Sequence, residues 1–121
     1  MLFRGGIHSR YTEPVENTAV ILTQESLDAI ITGFGHSEPR PHIEKYLPTI
    51  KIAIEQPMFV KQSIGRSNRH CHYACYVGDY AHRNQHMKVV LEKKWYGKME
   101  VVTAFFTPDI NSKEKEIWRK S

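Results

Sequence analysis

Residues able to move protons or hold phosphates are gathered in a few places along this chain. Four histidines, His70, His72, His82 and His86, lie within residues 61–99, where eight Lys or Arg face only Asp79 and Glu92. Two more, His36 and His42, punctuate the half before it. An imidazole can move protons near neutral pH. A dense set of cations suits a polyanion, because Lys and Arg neutralise phosphates and release counterions. The combination points to RNA, with cleavage favoured over passive binding.

Individual side chains give that chemistry addresses. His36 and His42 flank a turn, where an imidazole can exchange protons with a ligand on a neighbouring sheet. Arg66 and Arg69 bracket a turn between two strands. Thr103 is the hydroxyl in an otherwise apolar run, VVTAFF, and a buried hydroxyl needs a partner, which a phosphate oxygen can be. His72, Lys88, Tyr76 and Arg83 supply further imidazole, cationic and aromatic contacts for RNA, one or two of the tyrosines stacking on bases. The run His70-Cys71-His72-x-x-Cys75 has the ligand types of a zinc site. In a strand, however, alternation sends the histidines and the cysteines to opposite faces. Neither a metal nor another cofactor is expected.

These residues need elements to position them. Thr23 looks like a helix N-cap with Glu25 in the first turn. Leu27, Ile30, Ile31 and Phe34 follow at helical spacing, and Gly33 and Gly35 end the run. A second helical region covers 42–56, broken near Pro48, which falls in the first turn of the helix that continues. From Met58 the period becomes two. Strands are expected at Met58–Ser63, Arg69–Val77, His86–Glu92 and Met99–Phe106. In the second of these, Cys71, Tyr73, Cys75 and Val77 read as the core face, with His70 and His72 on the open face. Ala19–Leu22 reads as an edge strand and residues 7–11 as another short one. Residues 1–18 form an irregular arm, 19–110 one domain, and 111–121 a charged tail or short helix. The expected class is α+β, with two N-terminal helices on one face of a four-stranded antiparallel meander.

The chain's 121 residues suffice for one domain. Its net charge of +4 is mildly basic. No apolar run reaches the ~18 residues of a membrane span. The start, MLFRGGIHSR, lacks the apolar core of a signal peptide, so a cytoplasmic protein with reduced cysteines is expected.

The order Ile21-Leu-Thr-Gln-Glu25, a helix, His36-Ser-Glu38, a helix ending in Ile54-Glu-Gln-Pro57, a basic strand pair, Met87-Lys-Val-Val-Leu91 and Val101-Val-Thr-Ala-Phe105 resembles the phage branch of the Barnase–EndoU–colicin–RelE (BECR) nuclease fold. The likeness spans about residues 19–110. It departs from the family pattern at Ser37, where proline is usual, at the added Pro39–His42, and at Phe105, which replaces a tyrosine. The resemblance implies a metal-independent, toxin-like endoribonuclease. The substrate's 2′-OH would attack the adjacent phosphate and leave a cyclic phosphate. His36 or His42 would be acid or base, Arg66 or Arg69 would stabilise charge, and Thr103 would position the phosphate. RNA is the implied partner, alongside an inhibitor or host protein. The rival is a non-catalytic module of the same fold that binds RNA or protein.

Overall fold

The computed structural model describes residues 2–4, 19–33, 38–76, 84–94 and 98–120. Short strands β1 (Leu2–Arg4) and β2 (Ala19–Ile21) precede helix α1 (Gln24–Thr32). A 3-10 turn (Ile43–Tyr46) leads into helix α2 (Leu47–Glu55). Strands β3 (Phe59–Gln62), β4 (Arg69–Tyr76), β5 (Gln85–Lys93), β6 (Met99–Thr107) and β7 (Lys115–Arg119) follow.

Local chemistry sets the helix ends. The Thr23 hydroxyl accepts from the Ser26 N–H and caps α1. Gly33 closes it with φ +78°, and a Cβ there would stand 2.7 Å from the Pro39 nitrogen. Only glycine allows both the left-handed turn and this approach. Approach matters because the Arg40 N–H then reaches the Ile30 and Ile31 carbonyls, pinning the returning chain to α1. Pro48 sits in the first turn of α2, where its missing N–H costs nothing.

Among the described residues, seven strands make one sheet in the order β1-β2-β6-β5-β4-β3-β7. The four-stranded antiparallel meander is its centre, β6-β5-β4-β3, and the class is α+β as expected. Three strands were not anticipated or were read differently. Part of the N-terminal arm is β1, which pairs with β2. Rather than an edge, β2 lies between β1 and β6, parallel to the latter. Residues 115–119, expected as tail or helix, form β7 against the outer edge of β3, with a bulge at Val60/Lys61. That pairing satisfies backbone groups that β3 would otherwise leave open. The expected strand at 7–11 lies outside the described residues.

Both helices cover one face. Leu27, Ile30, Ile50, Ala53 and Ile54 pack on Met87, Val89, Leu91, Val101 and Ala104. Strand β4 alternates as expected, but its faces are reversed. Ala74 joins the helix-side core, and His72 lies fully buried there with Nδ1 3.2 Å from the Ala53 carbonyl. Cys71 and Tyr73 point to the opposite face and join Phe59 and Val90 in a smaller cluster. The reversal has a simple cause. Helix α2 offers a carbonyl that an imidazole can meet, while the other face has its own cover.

Candidate functional site

Two sites adjoin at one end of the sheet. The first is a cleft of about 480 Å³ lined by Arg40, Pro41, His42, Ile43, Lys45, Tyr46, Gln85, Phe105 and Phe106. Its origin is topological. Strand β2 pairs only with Met99 and Glu100 of β6, so among the described residues the far half of β6 has β5 on one side only. The turn from α1 to α2 fills in beside it. Buried Ile43 and the edge-to-face pair Tyr46–Phe106, 4.8 Å between centroids, fasten that turn to β6. Arg40 lies over the Phe105 ring at 4.6 Å. The cleft thus holds two cations and an exposed imidazole, His42, beside the rings of Phe105 and Phe106.

The second lies on the face away from the helices. After β6 the chain crosses that face as a strap, residues 108–114, and plants Glu114 in it. One Glu114 oxygen accepts from the Tyr73 hydroxyl, and the other from Lys88 Nζ at 2.8 Å and Cys71 Sγ at 3.4 Å. Burial alone would push the Glu114 carboxyl up. The hydrogen bonds and charge of Lys88, with the Tyr73 hydroxyl, outweigh it and leave the pKa lowered. Burial, reinforced by the adjacent carboxylate, raises Tyr73. Burial first, with Lys88 opposing, pushes the Cys71 thiol up to about 12, so it stays protonated and unreactive. Beside this cluster, Thr103 Oγ1 and His86 Nδ1 are buried with no hydrogen-bond partner among the described residues. Buried polar atoms rarely go unpaired.

The expected site residues are scattered over this frame. His42 stands in the cleft. Thr103 is on β6, two residues before Phe105, on the strap face opposite Val90. Arg66 and Arg69 are at the far end of the sheet. Arg69 pairs with Glu92 on β5, whereas Gln85 of the cleft pairs with Tyr76, and seven strand residues span about 23 Å. Neither arginine can share a phosphate with His42. Arg69 is moreover held by Glu92 at 2.8 Å, and Arg66 is exposed in its turn. His72 faces α2, where desolvation first, then the His70 charge, lowers its pKa to about 3. It cannot touch a ligand on the open face. Lys88 is engaged by Glu114. His36, Arg83 and the Tyr76 side chain lie outside the described residues.

Zinc finds no support in the His/Cys run, since His70 and His72 face the helices and Cys71 and Cys75 the strap side. Among the described residues, no three His, Cys, Asp or Glu side chains gather as a metal site would require. No described helix is long and apolar enough to cross a membrane. No protein-family model matches the chain, and no curated protein or solved structure matches it.

Sequence reasoning passed over Arg40, Lys45, His86 and Glu114. Arg40 and Lys45 look like ordinary turn and helix charges, and nothing local says that they lie beside the half of β6 that β2 does not pair with. His86 did carry a signal, because it alternates with Lys88 and so shares that residue's face.

Proposed function

We propose that the protein binds single-stranded RNA in the cleft beside β6 and cleaves it without a metal, using the RNA's own 2′-OH. The observation that carries this reading is that His42, Arg40 and Lys45 line one cleft together with Phe105 and Phe106, which flank it from the two faces of β6. Phe105, with Arg40 over its ring, is a stacking platform for a base. The His42 imidazole accepts the 2′-OH proton as the oxygen attacks phosphorus. The P–O5′ bond breaks, and the 5′-oxygen leaves with a proton from water. A 2′,3′-cyclic phosphate and a 5′-hydroxyl result. Arg40 and Lys45 bear on the negative charge that builds on the phosphorane. The resemblance to the BECR fold supports the same chemistry, with His42 in the histidine role and Arg40 and Lys45 in the part expected of Arg66 or Arg69.

A second reading is favoured by one feature. The described lining offers a single imidazole and no carboxylate, whereas separate acid and base steps normally use two groups. A module that binds RNA without cutting it needs only the cations and the platform. Incubation with RNA in EDTA separates the two. Cleavage should leave cyclic phosphate ends, spare DNA, and slow by about 10²–10⁴ in His42→Ala with RNA binding kept within a few-fold. Wild-type protein that binds RNA and never cuts it would establish the binding module instead.

A further inference from the structure

The geometry points to the strap, residues 108–114, as a built-in plug whose Glu114 carboxylate occupies a phosphate cradle formed by Lys88, Tyr73, Thr103 and His86. In naming RNA as the source of the phosphate it rests on the reading above. The cradle itself rests on separate observations.

Around Lys88 the strap face offers three further donors. Tyr73 is directly opposite on β4, and Thr103, opposite Val90, is a diagonal neighbour on β6. His86 is two residues along β5 on the same face. Glu114 uses only part of this set. It takes the Lys88 ammonium, the Tyr73 hydroxyl and the Cys71 thiol. Thr103 Oγ1 and His86 Nδ1, both buried, keep no partner among the described residues. A carboxylate is planar with two oxygens. A phosphodiester is tetrahedral and presents further oxygens in other directions, which suits a cradle with donors left over.

The plug is lightly held elsewhere. Residues 108–113 are exposed. Apart from the Glu114 bonds, the cross-face ties both end on Asn111, from Lys61 Nζ to its carbonyl and from its backbone to the Tyr73 hydroxyl. Of the other side-chain bonds, Thr107 at the end of β6 holds Asp109 at the strap's start, and Asn111 with Lys113 is internal to the strap. The cradle is also continuous with the cleft. The Phe105 ring has Arg40 at 4.6 Å and Lys88 at 5.7 Å from its centroid. A strand entering past Arg40 and stacking on Phe105 meets Lys88 next. With the strap in place it meets Glu114, and like charges repel.

The test uses the full chain and its Glu114→Gln variant, which keeps the side chain's shape and removes its charge. Fluorescence anisotropy with a short single-stranded RNA should show about tenfold tighter binding for the variant at low salt. Its salt slope should steepen by about 0.7, as expected for one added phosphate contact. Lys88→Met in that background should erase the gain. Inorganic phosphate, followed by NMR, should shift the Thr103 and His86 signals in Glu114→Gln and leave them unmoved in wild type. If Glu114→Gln fails to fold, Glu114→Asp replaces it, since the shorter arm withdraws the carboxylate and should give part of the gain. RNA bound equally by wild type and variant, with phosphate leaving Thr103 and His86 unmoved, overturns the plug and leaves the cleft reading standing. Phosphate bound at the cradle of the variant with RNA bound by neither keeps the plug and overturns the RNA reading. Neither ligand bound by either protein overturns both.

Discussion

Strand β4 runs between two covers of different chemistry. On one side His72 and Ala74 lie under α2 in a core of aliphatic side chains, where the Ala53 carbonyl meets His72 Nδ1 while His72 Nε2 and His70 Nδ1 keep no partner among the described residues. On the other, Cys71 and Tyr73 lie under a strap whose buried contribution is a carboxylate neutralised by Lys88. Both sides exclude water nearly as well, since His72 and Tyr73 are each fully buried. They differ in what removal of the cover exposes. Beneath α2 there is apolar surface, which is costly to wet. Beneath the strap, beside the small Phe59–Val90 cluster, there is a cation with donors around it, which water or a phosphate can satisfy. The helix side is built to stay shut and the strap side is able to open.

Substitutions should separate the two covers. The largest effect belongs to the helix side. Ile50→Ala removes a fully buried side chain and should cost about 4 kcal/mol in urea unfolding. A loss no greater than that of an exposed-site change would mean that α2 is not the sealing element. On the strap side, Glu114→Ala leaves Lys88 without its carboxylate and should cost about 3 kcal/mol, the lower end for a broken buried pair. It should do so without a change in the compactness-sensitive m-value. If it costs nothing, the ion pair is not holding the strap.

Acid should distinguish the faces without any substitution. His72 binds its proton near pH 3 when folded and near its ordinary 6.5 when unfolded. The unfolded state therefore takes up the proton first, and stability falls as pH drops below 6.5. From 6.5 to 5 the loss should be about 2 kcal/mol, with His70, shifted the same way by burial and Lys93, adding to it. His72→Asn, which keeps a donor for Ala53, should flatten this limb. Glu114, lowered from 4.5, contributes stability present above that value and lost as pH falls below it. The Glu114 contribution therefore falls outside the interval from 6.5 to 5. A midpoint unchanged over that interval would contradict the burial of neutral His72. The smallest effect is expected away from both covers. Arg69→Ala breaks the part-exposed Arg69–Glu92 pair, but Lys94 also holds Glu92, so the change should stay under about 1 kcal/mol.

Much of this frame was written locally in the chain. Thr23, Gly33 and Pro48 act through their immediate neighbours, and so the helices could be read from them. The change of hydrophobic period at Met58 likewise marked the meander. What could not be read depends on partners distant in sequence. Alternation in Arg69–Tyr76 divides its residues into two sets but cannot say which set α2 will cover. Lys115–Arg119 is short and charged, and becomes a strand only because β3 has an edge to fill. His42 was picked out by its place in a turn, and it does line the cleft. Arg66 and Arg69 were grouped with it by charge, which carries no information about which end of a sheet a residue occupies. Glu114 looked like one more charge in a tail because its partners are 26 to 43 residues away.

The lateness of Glu114 bears on how the protein comes into being. A ribosome delivers β3, β4, β5 and β6 before it delivers the strap, so the meander can form while Lys88 and Lys61 still lack their strap partners. Closure over that face waits until residues 111–114 have been made and can reach strands that are already paired. The nascent sheet therefore spends an interval with a bare cationic surface in the most RNA-rich surroundings a chain encounters. The strap shields that surface only after release of the residues that carry it.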